Sequence, residues 1–315
     1  MEQTNRPNFL LFRKLHQRLL YFLQHTYISK DKVPLKNVLT ILWNKLITQN
    51  IHQQASAIAF SFTLSLFPSI IFLFTLLPFI PIPDLKLQVT QILESTMPAG
   101  LYDFVADTVL DILHTPRVDL LSLGFILALY SATSGVSDLM ETFNQNYPFA
   151  KPRNFINKRL IAIFIAFIFA FLLIFAVTVI IIGNFVIDFI SHIKLIESNW
   201  LYYAVVLLRY LIVFGVFTIG VAYIYRVAPA VHNHWSFFSI GAVFASVSAI
   251  IVTNGFSFYL SKFANYNKFY GSIGTFIALM FWLYILGWVL ILGFEINASI
   301  YEAKQQYREN NNTKN

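Results

Sequence analysis

Long apolar runs separated by short polar connections dominate the chain from about residue 57 onward. The last of them, residues 270–298 (YGSIGTFIALMFWLYILGWVLILGFEINA), holds a single ionisable group, Glu295, near its far end. A helix rises about 1.5 Å per residue, so roughly 20 such residues cross a hydrocarbon layer of about 30 Å. A soluble core helix of that length would carry a polar face, and this run has almost none. Five earlier runs repeat the pattern, which predicts spans at 57–79, 120–140, 160–187, 201–225, 237–260 and 272–296. Pro78, Pro81 and Pro83 end the first, Pro148 and Pro152 punctuate the connection after the second, and Pro229 follows the fourth. The expectation is an all-α polytopic membrane protein with six transmembrane helices.

The segments between and before the spans have their own periods. Residues 9–27 (FLLFRKLHQRLLYFLQHTY) interleave Leu and Phe with Arg13, Lys14 and Arg18. They read either as a basic amphipathic helix lying on an anionic leaflet or as a partly ordered tail. A second amphipathic piece, residues 35–48, leads into the first span. Between spans one and two lies a long external segment, 81–119, where Leu85, Val89, Ile92, Leu93 and Met97 fall at helical spacing before Pro98-Ala99-Gly100 breaks the run. Asp103, Asp107 and Asp111 then line one face, opposite Phe104, Val105, Leu110 and Leu113. Two short external amphipathic helices fit. The Asp row reads as a cation-binding face or, as carboxylates one turn apart more often are, a solvated one. The organisation is a basic cytoplasmic tail over 1–54, a transmembrane domain over 55–300 and a polar cytoplasmic tail over 301–315.

Composition strengthens the membrane reading. Hydrophobic residues make up 57% of the chain and charged ones 12%, against about 25% charged in an average soluble domain. The absence of cysteine excludes disulfides and thiolate metal sites. Leu19–Phe22 is too short an apolar run for a secretory signal. The net charge of +7 is spread along membrane flanks: of 22 Lys and Arg, sixteen fall in the N-terminal tail, the second and fourth connections and the C-terminal tail. Five fall on the opposite side, and Arg209 lies within a span. Cytoplasmic flanks retain positive charge, so both termini are expected in the cytoplasm. Nucleic acid would require a focused basic patch and is not an expected partner.

Ionisable groups inside a bilayer are expensive, and each is a functional candidate. Counting helices in alternating directions brings Arg209, Asn184 and Asn254 to a similar outer depth, with Asp188 one turn further out. They form either a binding site or a structural clamp, or Arg209 snorkels to the headgroups or pairs with Asp188. At the cytoplasmic side, Asp138 and Glu295 end the second and sixth spans and Arg226 the fourth, with Asn144 and Asn297 near the same interface. Glu295 and Asp138 sharing Arg226 or a neighbouring base would make a gate or proton-coupling group; an interfacial ion pair that fixes helix packing is the alternative. Gly124, Ala128 and Ala132, and Gly241, Ala245 and Ala249, mark faces where helices can approach closely. Ser61, Thr63, Ser65 and Pro68 make the first span locally polar and kinkable.

No catalytic or metal-binding motif emerges. His232 and His234 have no nearby acid, and there is no HExxH, phosphate-loop or GxSxG pattern. Gly271-Ser272-Ile273-Gly274 resembles an intramembrane serine-protease motif, but its serine opens a helix with no histidine at that depth. No cofactor and no enzymatic activity are expected.

Several separated motifs carry a family resemblance. They are Leu129-Tyr130-Ser131-Ala132-Thr133-Ser134; Phe143-Asn144-Gln145-Asn146-Tyr147; Tyr225 with Pro229 and Gly241-Ala242; and Tyr259. The most specific follow: Tyr270-Gly271-Ser272-Ile273-Gly274, Trp282-Leu283-Tyr284 and Gly293-Phe294-Glu295-Ile296-Asn297-Ala298. Together, over roughly 43–301, the chain resembles the YihY/BrkB family of bacterial inner-membrane proteins, once filed under the name ribonuclease BN. One departure is Phe294, where a small residue is expected beside Gly293. The resemblance implies six spans and an unsettled activity, with transport and envelope roles proposed, and supplies no catalytic site. Two functions follow as expectations: a transporter or flippase-like carrier of a solute, ion or lipid, or a non-transporting envelope scaffold. The bilayer is the one partner both require, and neither specifies an oligomeric state.

Overall fold

The computed structural model describes residues 26–28, 33–76, 118–147, 150–151, 153–192, 199–230, 235–262 and 266–312. A two-residue antiparallel ribbon, β1 (Tyr27–Ile28) with β2 (Val33–Pro34), precedes seven helices. These are α1 (Leu35–Thr48), α2 (Ile51–Leu76), α3 (Val118–Gln145), α4 (Phe155–His192), α5 (Asn199–Val227), α6 (Ile240–Lys262) and α7 (Tyr266–Asn312). The 9–27 segment up to residue 25, most of the external segment with its Asp row, and His232 and His234 lie outside the described residues.

Helices α2 to α7 form a closed ring in chain order, each packed on the next and α7 returning to α2. Helices suit a hydrocarbon medium because every backbone polar group is satisfied within its own helix. Among the described residues, five stretches are long and apolar enough to cross a membrane: Ser122–Gln145, Phe155–Ala176, Tyr203–Val227, Ile240–Tyr259 and Phe276–Asn311. Helix α2, at the first expected span, has 26 residues, and its first turns carry His52, Gln53 and Gln54. The outward flanks of the ring are large and apolar. Phe171 on α4 is 66% exposed and Leu207 on α5 61%, which only a lipid surround would solvate without cost.

Among the described residues the core lies at one end of the ring, where α3 hands over to α4 and α5 to α6; we refer to it as the connector end. Ile51, Ala55 and Ile58 of α2, Leu139, Met140 and Phe143 of α3, Val221, Ala222, Ile224 and Tyr225 of α5, Ala242, Ala245 and Ala249 of α6 and Ile291, Phe294 and Ala298 of α7 supply it. Its centre is aromatic. Phe143 and Phe294 stack at 4.2 Å, Tyr225 meets Phe143 edge-on at 5.6 Å, and Trp235 meets Phe294 at 5.3 Å. Tyr225 Oη donates to the Leu290 carbonyl at 2.7 Å, so its hydroxyl is not left unpaired in the core.

The tightest approach is between α6 and α7. A Cβ on Gly241 would collide with the Gly293 carbonyl and come 2.7 Å from Asn297 Cγ. One on Gly293 would lie 2.6 Å from the Gly241 carbonyl and 2.7 Å from Ala245 Cβ. Glycine is required at both because backbone meets backbone. Phe294 does not disturb this contact. Neighbouring helical residues point about 100° apart, so Phe294 faces Phe143 while Gly293 faces α6, and the expected small residue is not needed.

A second difference concerns the C-terminus. Residues 301–312, expected as a polar tail, continue α7 as one helix of 47 residues. Ile300, Ala303 and Tyr307 repeat at helical spacing and pack against Val33, Val38 and Ile41, so α1 lies along the extension. That stripe provides the burial that carries the helix on.

Gly241→Ala is expected to lower the melting temperature in detergent, at a stability loss of about 1–3 kcal/mol or more for overpacking. Gly255→Ala, on a helix position with nothing within 4 Å of the added carbon, is expected to leave it unchanged or slightly higher.

Candidate functional site

Helix α1 turns Val38 and Lys45, seven residues apart, toward the bundle. Lys45 Nζ sits 3.2 Å from Glu295 Oε2 of α7, pairs with Glu302 Oε1 one to two turns further along, and donates to the Asn146 carbonyl at 3.4 Å. The side chains are 10%, 0% and 13% exposed for Lys45, Glu295 and Glu302. Neither oxygen of Glu295 has a partner in hydrogen-bond geometry. Its contact with Lys45 is therefore an electrostatic one between close, desolvated charges, and two carboxylates share one ammonium.

Beside this cluster a cleft of about 450 Å³ runs between the first turns of α2 and the last turns of α3. Gln49, Gln53, Gln54, Asp138, Glu141 and Asn146 line it with other polar side chains, and Ala57 is the one apolar residue. Gln54 and Asn146 exchange amide hydrogen bonds at 2.9 and 3.0 Å. Ser61 donates to Asp138 Oδ2, and Glu141 is held by Lys158 at 2.7 Å. One turn beyond Asp138, Arg159 stands 4.1 Å over the Tyr130 ring. It donates to the Tyr130 carbonyl at 2.7 Å and to Ser134 Oγ at 3.3 Å. Tyr130, Ser134, Asp138 and Glu141 thus form a polar stripe on α3, and Tyr130 and Ser134 belong to the first sequence motif.

The residues expected together at the cytoplasmic end are only partly brought together. Arg226 is exposed and takes no part with Glu295; the neighbouring base is Lys45, and Asp138 is held by Ser61 instead. Asn144 Oδ1 accepts the Ala230 N–H at 2.8 Å. Asn297 Oδ1 accepts the Gly241 N–H at 2.8 Å and its amide donates to Ser239 Oγ at 2.7 Å. Both asparagines therefore satisfy backbone at helix boundaries, where donors and acceptors are otherwise orphaned. Of the outer set, Arg209 lays its Cδ across α4 at the space Gly183 leaves, 2.7 Å from where a Cβ would stand, and its guanidinium is 5.3 Å from the Tyr210 ring. Asn254 does not join it: it is exposed and bonds its own helix at the Ile250 carbonyl, 2.8 Å away. The side chains of Asn184 and Asp188 lie outside the described residues, as do those of Tyr270, Gly271 and Ser272 in α7. Gly274 is buried, Trp282 donates to Thr253 Oγ1 at 3.3 Å, and the Tyr284 hydroxyl meets His52 Nδ1 at 2.7 Å.

Sequence reading missed Lys45 as a site residue because a lysine before the first span looks like one more cytoplasmic charge. The available signal was its seven-residue spacing from Val38 on one face of an amphipathic helix. It also missed Arg153, whose guanidinium donates to the carbonyls of Val227, Ala228 and Pro229 at 3.2, 2.8 and 3.0 Å and closes the C-terminus of α5. Burial lowers the Arg153 pKa below the usual arginine range. In the same connection, burial pushes the Tyr147 phenol up, with Tyr301 and Glu302 adding to the effect. Among the described residues, no group of three or more His, Cys, Asp or Glu comes together to hold a metal ion.

Lys45→Met is expected to destabilise the protein by about 3–5 kcal/mol, because it strands a buried carboxylate. Lys45→Met combined with Glu295→Gln is expected to recover much of that loss, as read by thermal melts of the detergent-solubilised protein.

Comparison with known proteins places these features in a family. The chain is 36% identical over 263 residues to YfkH of Bacillus subtilis, a protein described as ribonuclease-like; the match covers 82% of this chain and 92% of that one. It is 32% identical over 96 residues to a UPF0761 membrane protein of Tolumonas auensis, covering 30% of each. A UPF0761 membrane protein of Photobacterium profundum is 33% identical over 82 residues, 26% of each. No solved structure matches. The family model described as Virulence factor BrkB matches residues 42–315, so Lys45, the α2–α3 cleft and the α6–α7 glycine contact all lie within the matched region. The chain belongs to the BrkB family of membrane proteins.

Proposed function

We propose that the protein is a carrier that moves a small solute, an ion or a lipid across the bilayer through the α2–α3 cleft. The observation that carries this reading is the cleft itself, about 450 Å³ and lined almost wholly by polar side chains, in a bundle whose outer flanks are apolar. Carboxylates and amides at that depth are expensive unless they face water or a substrate. Lys45, Glu295 and Glu302 sit beside Asn146 of the cleft wall, where breaking or making one ion pair would open or close it. Helix α2 serves as the sixth span, which puts both termini on one side. The basic excess around those termini supports placing that side in the cytoplasm, and the bacterial relatives support an inner membrane. The reading includes no ribonuclease step: metal-assisted phosphodiester hydrolysis calls for clustered His and acidic ligands, whereas the cleft pairs two carboxylates with amides, a serine and a lysine.

A non-transporting scaffold is the second reading. It is favoured by Leu39, Trp43 and Ile47, which form an exposed apolar stripe on α1 and are 41%, 64% and 66% exposed.

The chain has no native thiol to remove, so single cysteines can separate the two. In a carrier, a cysteine at Asp138 is expected to react with a membrane-impermeant maleimide added from either side, because access alternates. A static scaffold would restrict the reaction to one side. For the topology, a fluorescent protein fused after Asn315 is expected to fluoresce and alkaline phosphatase at the same position to stay inactive; the reverse pattern would overturn the six-span arrangement.

A further inference from the structure

We infer that the corner where the α3–α4 and α5–α6 connections meet binds the headgroup of an anionic phospholipid, with the lipid's chain lying in a groove on the first turns of α4. Three basic residues belong to that corner. The Lys151 backbone N–H donates to the Ala230 carbonyl at 2.9 Å, and its side chain is exposed. Arg153 grips the carbonyls of Val227, Ala228 and Pro229. Arg226, next to Val227, is exposed.

The partners of Arg153 are neutral carbonyls, and among the described residues none of the three cations pairs with a carboxylate. The sequence offers little chance of one nearby: residues 142–187 and 198–294 contain no Asp or Glu. Glu141, the nearest acid along the chain, is already held by Lys158. Among the described residues the corner is therefore a positive site with no carboxylate paired to it.

Beside the Arg153 stem a groove of about 340 Å³ is lined by Arg153, Asn157, Leu160 and Ile161. Phe155 and Ile156 stand next to it on the same helix, 80% and 69% exposed. Cations at one end and an apolar trough at the other match a phosphate ester carrying an acyl chain. In a membrane protein, the leaflet supplies that molecule at the depth where a span begins. Basic pockets between spans recognise anionic headgroups in this way. Charge retention during insertion explains why these residues stay on one side; it does not explain why a groove opens beside them.

The test uses the full-length protein in nanodiscs of equal parts phosphatidylglycerol and phosphatidylcholine, with bound lipid counted by native mass spectrometry. Wild type is expected to retain phosphatidylglycerol in preference to phosphatidylcholine. Lys151→Gln with Arg226→Gln leaves the Arg153 cap intact and is expected to weaken retention roughly thirtyfold, at about fivefold per basic residue. Leu160→Trp fills the groove without changing charge and is expected to lower retention as well. Equal retention of the two lipids by wild type, or an unchanged preference in the double variant, would overturn the site. A melting temperature of wild type that rises with added phosphatidylglycerol but not phosphatidylcholine is an independent reading, should a variant fail to fold. Lipid retention is measured without transport, so this outcome is separate from that of the carrier proposal.

Discussion

A carboxylate removed from water must be met by a cation, and in this protein the cation comes from a separate helix. Glu295 has no exposed side-chain surface, and Lys45 reaches it from α1, which lies outside the ring. That contact, together with Glu302, ties the helix before the first span to the last helix of the chain. It also positions Asn146, whose carbonyl the same ammonium approaches and whose amide pairs with Gln54 across the cleft. Such a pair contributes little net stability compared with apolar residues of the same shape, yet breaking half of it is costly. It specifies where α1 docks more than how firmly the bundle holds together.

The ring is closed and sealed at that same end. Glycines at Gly241 and Gly293 let α6 and α7 touch backbone to backbone, and the aromatic cluster of Phe143, Tyr225, Trp235 and Phe294 fills the centre. Asn144, Asn297 and Arg153 satisfy the helix ends around it. A well-packed aromatic plug thus lies beside a polar cleft at the same end of the bundle. That cleft lies between α2 and α3.

The family adds scale rather than chemistry. The name of YfkH describes that protein as ribonuclease-like, and the UPF0761 relatives are named only as membrane proteins. What the present structure contributes is a specific arrangement, in which a lysine lock, an amide-lined cleft and an arginine-rich corner share one end of the bundle. The lock and the corner are electrostatically opposite. At the lock two carboxylates outnumber one ammonium; at the corner, among the described residues, three basic side chains pair with no carboxylate.

The sequence alone determined the membrane class, the approximate place of five spans and the close-packing face of α6, because hydropathy and small-residue spacing are properties of one helix at a time. The motif glycines and Tyr225 were legible for the same reason. It did not determine which polar groups meet. Arg226 was a reasonable partner for Glu295 by depth, but depth is one coordinate, and the choice depends on which helices are neighbours and which way each face turns. Lys45, Ser61, Gln54 and Arg153 found their partners 74 or more residues away along the chain. Asn144 and Asn297 proved to be backbone caps, and Phe294 a core stack, because only the packed bundle decides what each side chain faces. A one-dimensional pattern states what must be buried; the tertiary arrangement alone settles against what.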